Sequence, residues 1–417
     1  MYGLLQQVGP EVFLAFILLG LLGLRAKVTP KVSIFIKVPA SIIWKQINPY
    51  DGKVDVHGRT KMSMRLIDAT SRSYELTWEA ALPNGATRPF KAAFRVAEIE
   101  AERKLVLRRV GLEGKSDRNE LLEIRYALSP EGAGTRVKMA YYWGSRALLA
   151  QLLARADLWG GAYRMKALAE TGKANDRGYH WIGALVAIST ALLSLIAFAL
   201  MLSPRIGLLG GLALAAMLVL ALLVHEFGHV LAFRLIGQPW GRIVFLPFLG
   251  AIAVPRLPYE TQAQSVFSAL MGPGFSCVLL LICFLAPELG VSAQIAKIFA
   301  ALGAVSAFLN LFNLLPVEPL DGGVALRSVL ARLLGARAAV VLLALGVLMA
   351  SLGYYFEQLA LVVFGGFSIL GNLRPRKIDA GLTPLSSLQV SIFFFGYVAI
   401  AAAHYTMLLR FMEQIKL

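Results

Sequence analysis

The sequence predicts a polytopic α-helical membrane protein into which one soluble α+β domain is inserted. Of the 417 residues, 57% are hydrophobic and only 16% are charged, a composition typical of chains that expose long helices to lipid. The charges are concentrated in residues 25–180, which hold 28 of the 41 Lys and Arg and 16 of the 25 Asp and Glu. Four parts are therefore predicted: an N-terminal membrane anchor (1–30), a soluble domain (31–176), a membrane core (177–335) and C-terminal transmembrane helices (336–417).

The net charge of +16 is interpreted through its position in the chain. Residues 25–180 carry a net charge of +12 and lie next to apolar spans. A basic segment beside spans is retained on the cytoplasmic side and is attracted to anionic lipid. We therefore predict a cytoplasmic soluble domain, contact with the lipid bilayer and no nucleic-acid partner. The two cysteines, Cys277 and Cys283, share one apolar segment and predict neither a disulfide nor a Cys-based zinc site.

The first element is the apolar run from Val12 to Leu24, which is followed by basic residues and not preceded by them. A secretory signal has the opposite polarity, so we predict an uncleaved anchor with its N-terminus outside. A run of this length either crosses the bilayer or lies at its interface. In both cases the basic residues keep the next domain inside.

The soluble domain opens with a predicted strand at 32–38 and a short helix at 39–47, and a long helix from 145 to about 172 closes it. Between them, alternating apolar and polar residues predict antiparallel strands, separated by turn signals such as Pro83-Asn84-Gly85. These strands are predicted at 61–68, 74–81, 90–98, 104–110, 121–128 and 135–143.

This order of elements and the opening Val-Pro-Ala-Ser-x-x-Trp at residues 38–44 resemble the START-like helix-grip fold, which is also seen in polyketide-cyclase-like proteins. The resemblance implies a curved sheet around a long C-terminal helix, with a pocket for a lipid or another apolar ligand. The alternative is that the aromatic residues fill a core and the domain docks a regulatory protein. No catalytic constellation stands out in this domain, and His57 is predicted to be a surface residue.

Apolar segments suited to crossing a bilayer follow Asp176-Arg177. Ser203-Pro204-Arg205 predicts a tight turn between the first two segments, and the lone His404 is predicted to be a satisfied interior residue. The predicted spans are 181–202, 206–235, 264–285, 293–315, the shorter 338–354 and 358–373, and 389–411. With the soluble domain inside, the 206–235 and 293–315 helices both run from outside to inside.

The apolar segment 222–231 contains two imidazoles and a carboxylate. On a helix, His225 and His229 lie one turn apart on the same face, so their ring nitrogens can converge on one ion. Glu226 lies beside them, where it can hold a water on the open side of a metal and act as general base. A satisfied histidine pair is the alternative, but ionisable residues at membrane depth cost about 2.5–3.5 kcal/mol each and usually mark function.

A third metal ligand is offered by Asp321 in the run from Asn313 to Gly323. The alternative is that Asp321 caps the helix that follows it. The His225-Glu226-Phe227-Gly228-His229 segment and the Asn-x-x-Pro-x-x-x-Leu-Asp-Gly pattern of residues 313–322 together closely resemble the site-2 protease family of intramembrane zinc metalloproteases. The resemblance implies a Zn²⁺ cofactor with Asp321 as the third ligand, and it associates Asn313 with substrate binding.

The same resemblance bears on two further segments. It implies that residues 241–255 form a membrane-associated hairpin whose edge pairs with an extended substrate, the alternative being a loop at the membrane interface. Gly272-Pro273-Gly274-Phe275-Ser276 resembles another element of the family. Its proline and glycines are expected to kink the helix and to let neighbouring backbone approach closely.

The predicted function is intramembrane endopeptidase activity on single-span membrane proteins or remnant signal peptides. The resemblance to site-2 proteases implies that the membrane is a bacterial inner membrane. The substrate must locally leave its helix, because a helical peptide bond has its carbonyl hydrogen-bonded and its backbone shielded. Two alternatives are a membrane-anchored lipid-binding or transport protein with an inert metal site, and a scaffold that recruits a partner through the soluble domain. Glu226 beside all three ligands favours the enzyme.

Overall fold

The computed structural model describes two compact units, which divide between residues 186 and 187. The described residues are 29–48, 62–68, 70, 72–81, 87–109, 121–143, 148–173, 177–246, 250–255, 257–317, 320–357, 359–373 and 382–416. The predicted anchor at 12–24, His57 and the turn at 83–85 lie outside them. The four-part division of the chain remains a prediction.

The first unit is built on an antiparallel sheet. Its elements in chain order are β1 (Lys31–Ile36), α1 (Ala40–Ile47), β2 (Met62–Asp68), β3 (Ser73–Ala81), β4 (Thr87–Glu100), β5 (Lys104–Arg109), β6 (Leu121–Glu131), β7 (Gly134–Trp143) and α2 (Leu148–Thr171). Among the described residues the sheet has seven strands in the order β1-β7-β6-β5-β4-β3-β2. The predicted helix-grip order of one strand, a short helix, six strands and a long helix is confirmed.

The core of this unit follows from two periodicities. Side chains alternate across a strand, so Val32, Ile34 and Ile36 all point inward and are buried. On α2, Leu158, Ala162 and Met165 recur at helical spacing and join the same core. Each large apolar side chain buried in this way contributes about 1.5–3 kcal/mol to stability.

The second unit is helical. Helix α3 (Arg177–Leu235) belongs to this unit from residue 187 onward. The elements that follow it are β8 (Arg242–Leu246), β9 (Gly250–Val254), α4 (Gln262–Leu285), a 3-10 turn (Ala286–Leu289), α5 (Ala293–Asn313), α6 (Asp321–Leu334), α7 (Arg337–Tyr355), α8 (Leu359–Asn372) and α9 (Ser387–Lys416). In the part of the chain that the structure describes, five helices are long and apolar enough to cross a membrane. They are Ile206–Leu235, Gln262–Leu289, Ala293–Asn313, Arg337–Tyr355 and Ser387–Lys416.

Two predictions about the spans are corrected. The turn predicted at 203–205 is wrong, because helical backbone continues through Pro204 and the break falls at Gly207, with φ 74° and ψ 165°. Glycine adopts this conformation without steric cost. The chain does reverse there, since a Cβ on Gly211 would lie 2.6 Å from the Ala199 carbonyl oxygen. The segment predicted at 358–373 forms α8, whose 14 residues reach only about 21 Å, less than the ~30 Å of hydrocarbon.

The predicted hairpin at 241–255 is confirmed. Strands β8 and β9 pair in antiparallel register from Arg242 opposite Val254 to Leu246 opposite Gly250. Residues 247–249 between them lie outside the described part of the chain. Among the described residues no third strand pairs with β8 or β9. In this part of the chain the outer edge of each strand therefore has no strand neighbour.

Candidate metal centre

Three ligand atoms converge between the C-terminal part of α3 and the N-terminal end of α6. His225 and His229 stand one turn apart on α3, and their Nε2 atoms are 3.0 Å apart. The Oδ2 atom of Asp321, the first residue of α6, lies 3.1 Å from Nε2 of His225 and 3.4 Å from Nε2 of His229. Among the described residues this is the group that could hold a metal ion. The structure therefore brings together the three predicted ligands.

The other ring nitrogen of each histidine is already engaged. Nδ1 of His225 is 2.8 Å from Oδ1 of Asn310, whose Nδ2 donates to the Ser306 carbonyl. Nδ1 of His229 is 2.7 Å from the Ser268 carbonyl oxygen. Both oxygens can only accept, so both Nδ1 atoms carry the hydrogen. In the neutral rings each Nε2 therefore presents a lone pair, the tautomer that a metal requires.

These donors fit a divalent cation. Two imidazole lone pairs and a carboxylate oxygen face one another at about hydrogen-bond distance, and a cation between them offsets their mutual repulsion. Helix α4 also packs closely against the two histidine rings. A Cβ on Gly272 of α4 would lie 2.4 Å from Nε2 and 2.5 Å from Cε1 of His229, so only glycine lets α4 approach this near. The expected close approach at the Gly-Pro element is thus present.

The position of Asp321 excludes its role as a helix cap. The N-cap residue of α6 is Leu320, and Asp321 is already inside the first turn. The first turn of α6 packs closely against the backbone of Leu314, because a Cβ on Gly322 would lie 2.1 Å from the Leu314 carbonyl oxygen. The carboxylate is thus directed at the histidines by backbone packing on its neighbour.

Glu226 lies at the same centre and is buried. Its carboxylate accepts a hydrogen bond from the backbone N–H of Ala253 in β9. Its Oε2 atom has no hydrogen-bond partner among the described residues. A buried carboxylate oxygen without a partner costs free energy, and a water or substrate proton at the metal centre would satisfy it.

Sequence reasoning missed Asn310, which is fully buried and holds His225. The signal that could have found it is an amide inside the apolar helix α5, since polar residues at membrane depth usually have a function. The predicted Asn313 lies three residues later, as the last residue of α5. Its role in substrate binding remains a prediction.

Comparisons with known proteins agree with this centre. Residues 288–353 match Peptidase family M50, and this stretch includes Asp321. The chain is 32% identical over 167 residues to "Putative zinc metalloprotease sll0528" of Synechocystis sp., which covers 40% of this chain and 42% of that protein. It is 24% identical over 120 residues to "Zinc metalloprotease MJ0392" of Methanocaldococcus jannaschii, covering 28% and 34%. The chain thus spans less than half the length of these relatives.

Solved structures also resemble part of the chain. Protein CV1439 from Chromobacterium violaceum is 12% identical, with a TM-score of 0.27 over 34% of this chain and 96% of that one. The Aha1 dimer structure from Colwellia psychrerythraea gives 14% identity and a TM-score of 0.26 over 35% and 98%. Residues 288–353, which include Asp321, are thus similar to Peptidase family M50, and the chain is similar in part to two proteins that are named as zinc metalloproteases.

Proposed function

We propose that the chain is a zinc-dependent intramembrane endopeptidase. The observation that carries the proposal is the convergence of His225, His229 and Asp321 beside Glu226. Both histidines and Glu226 lie on a helix that is long and apolar enough to cross a membrane. The two histidines and the aspartate would hold the zinc ion. When bound, zinc acts as a Lewis acid, which polarises the scissile carbonyl and lowers the pKa of water. The relatives' names support the choice of zinc.

The roles of the protein's own groups follow from their contacts. Glu226 would accept the proton of the attacking water on its unpartnered Oε2 and return a proton to the leaving nitrogen. The Ala253 N–H would orient this carboxylate. Burial of the site keeps bulk water away from these groups and strengthens their electrostatic effect.

The hairpin suggests how the substrate is held. A peptide bond inside a transmembrane helix is shielded, so the substrate must be extended where it is cut. Strand β9 carries the N–H that contacts Glu226, and an extended peptide added to the edge of β8–β9 would pass close to the general base. Single-span membrane proteins or remnant signal peptides with helix-weakening residues are the substrates we propose, with Asn313 contributing to their binding.

The location is part of the same proposal. The net charge of +12 on residues 25–180 supports a cytoplasmic soluble domain. A bacterial inner membrane is part of the proposal because the chain resembles the site-2 protease family. The metal centre would then lie in the cytoplasmic third of the bilayer.

A regulatory role for the soluble domain is a second proposal. The Oε1 atom of Gln46 is buried there without a hydrogen-bond partner among the described residues, which favours a bound molecule with a donor group. Either an apolar ligand or a regulatory protein would bind at this domain and change proteolysis. Mass spectrometry of lipids released from the purified full-length protein tests the first form, and recovery of no stoichiometric ligand would oppose it.

The proteolytic function is tested by reconstituting the full chain in liposomes with a single-span substrate. Wild-type protein should cut the substrate within its membrane segment, and Glu226→Gln should not. Glu288→Gln changes an exposed carboxylate outside the centre and should cut normally. Equal cleavage by wild type and Glu226→Gln would oppose the proposal and favour the lipid-binding or scaffold alternative with an inert metal site.

A further inference from the structure

One face of the C-terminal helix α9 contacts backbone on both sides of the metal centre. Tyr397 and His404 are seven residues apart, about two helical turns, so they lie on the same face of α9. The Tyr397 hydroxyl donates to the carbonyl oxygen of Leu314 at 2.5 Å. Nε2 of His404 donates to the carbonyl oxygen of Pro273 at 2.9 Å. The hydrogen bonds described for these two side chains go to groups other than the metal ligands.

The first contact supports Asp321. Leu314 follows the last residue of α5, where helix carbonyls lack intrahelical partners. The Leu314 carbonyl is also the group against which Gly322 packs. The Tyr397 hydroxyl therefore satisfies and fixes the carbonyl on which the first turn of α6 rests. Asp321 is the residue just before Gly322 in that turn.

The second contact supports the two histidines. Pro273 directly follows Gly272, the residue that lies against the rings of His225 and His229. His404 is fully buried, and its bond to Pro273 fixes the backbone at a point where proline interrupts the helix ladder. The prediction that His404 is satisfied holds for Nε2, whereas its Nδ1 has no partner among the described residues.

The two contacts are reinforced by packing between them. Ile400 lies one turn before His404, and its Cδ1 atom is 3.4 Å from the Cβ position of Gly274. The M50 match ends at residue 353, so all three of these α9 residues lie beyond the matched region. The helix that carries them is thus an additional support for the centre.

We infer that α9 fixes the geometry of the metal centre, with Tyr397 and His404 as positioning residues that act through Leu314 and Pro273. The inference rests on the proposed function, because it assigns these residues to the zinc site. Interhelical hydrogen bonds in membranes are individually modest, but both of these act on backbone that contacts or adjoins a ligand. Loss of either one should loosen the ligand set.

The experiment measures zinc affinity of the full-length protein in detergent by competition with a chelator, together with the visible spectrum of the Co²⁺-substituted protein. Tyr397→Phe and His404→Leu should each weaken zinc binding about 2- to 10-fold, the effect of one hydrogen bond. Both should shift the Co²⁺ bands, because the ligand geometry changes. Tyr397→Phe removes only a hydroxyl oxygen, so it keeps the test decisive if His404→Leu does not fold.

Two controls separate positioning from general packing. Tyr405→Phe makes the same change at a side chain that is 58% exposed on the same helix and should bind zinc as wild type does. His404→Gln retains an N–H donor and should recover most of the affinity that His404→Leu loses. Wild-type affinity and an unchanged Co²⁺ spectrum in Tyr397→Phe would overturn the inference.

This readout is independent of proteolysis. A wild-type protein that binds zinc through Asp321 but cuts no substrate would overturn the proposed function, and weaker binding by Tyr397→Phe would still support the positioning role. A wild-type protein that binds no zinc would overturn both.

Discussion

At the scale of single residues, Gly272 sets how closely α4 approaches the two histidines. A Cβ there would overlap the His229 ring at 2.4 Å, so Gly272→Ala must displace either the ring or the helix. We expect zinc affinity to fall at least ~10-fold, comparable to the loss of a group that orients a ligand. The measurement is chelator competition.

Gly274→Ala is the matched control for Gly272→Ala. It lies two residues further along the same helix, and among the described residues its Cβ would meet only Ile400, at 3.4 Å. Zinc affinity should stay near the wild-type value. Equal affinities for the two variants would contradict the account of close packing at the histidines.

Asn310 orients His225 through Nδ1, the ring nitrogen that does not face Asp321. Removing its amide leaves the His225 Nδ1–H without its acceptor and frees the ring to turn, so Asn310→Ala should weaken zinc binding about 10- to 100-fold. Asn372→Ala is the control, because Asn372 bonds only the Ser368 carbonyl in the described contacts. Chelator competition is again the measurement. Unchanged zinc affinity in Asn310→Ala would show that Asn310 does not orient His225 for metal binding.

The site residues differ in how far sequence could predict them. His225, Glu226 and His229 follow from spacing within one helix, and Asp321 follows from its resemblance to a family pattern. Asn310 could not be assigned in this way, because its partner is 85 residues away. An amide in an apolar helix indicates a function but does not indicate which group it meets.

At the scale of elements, the soluble sheet contains a buried carboxylate between two arginines. Arg108 donates to Glu123 at 2.7 Å, and Arg125 donates to its other oxygen. Burial raises the pKa of Glu123, but the two arginines lower it more, so the net pKa lies below the ordinary value of 4.5. Its stabilising effect is therefore complete above that value and is lost as the pH falls through the lower, folded-state pKa.

Glu123→Gln should accordingly reduce the opening free energy of strands β5–β7 by about 1 kcal/mol at neutral pH, because the arginines are half exposed and screened. The difference from wild type should shrink as the pH falls through the folded-state pKa. Hydrogen exchange of the full-length protein measures both effects. Glu131→Gln alters an exposed carboxylate paired with Arg136 and should change exchange less. A pH-independent difference at Glu123 would contradict the assignment.

The hairpin gives the second prediction at this scale. Ala253→Pro removes the N–H that contacts Glu226 but leaves all three metal ligands in place. We expect zinc to be retained while cleavage falls at least ~10-fold, because a mispositioned base transfers protons poorly. The zinc-to-protein ratio and the cleavage rate are measured on the same preparation. Unchanged cleavage would show that β9 does not position the base.

Sequence reasoning at this scale succeeded where the pattern is local. Alternation predicted the seven strands, and apolar length predicted the five helices suited to a membrane. The break at Gly207 was misplaced because proline is a strong signal for a turn, whereas a glycine with positive φ becomes evident only when the chain has folded back. The contact of Ala253 with Glu226 joins two distant elements and could not be read from either.

At the scale of the whole molecule, composition alone predicted the class of protein, because 57% hydrophobic residues in long runs need a bilayer. The proposed mechanism is more specific: His225, His229 and Asp321 hold zinc so that Glu226 can act as the base for peptide hydrolysis. Metal binding and proteolysis are separable in this claim. Loss of a ligand should affect both, and loss of the base should affect proteolysis alone.

The most direct test is the zinc content of purified wild type, Glu226→Gln and Asp321→Ala, measured beside cleavage of a single-span substrate. We expect zinc and cleavage in the wild type, zinc without cleavage in Glu226→Gln, and reduced zinc without cleavage in Asp321→Ala. Full zinc in Asp321→Ala, or normal cleavage by Glu226→Gln, would contradict the proposed mechanism.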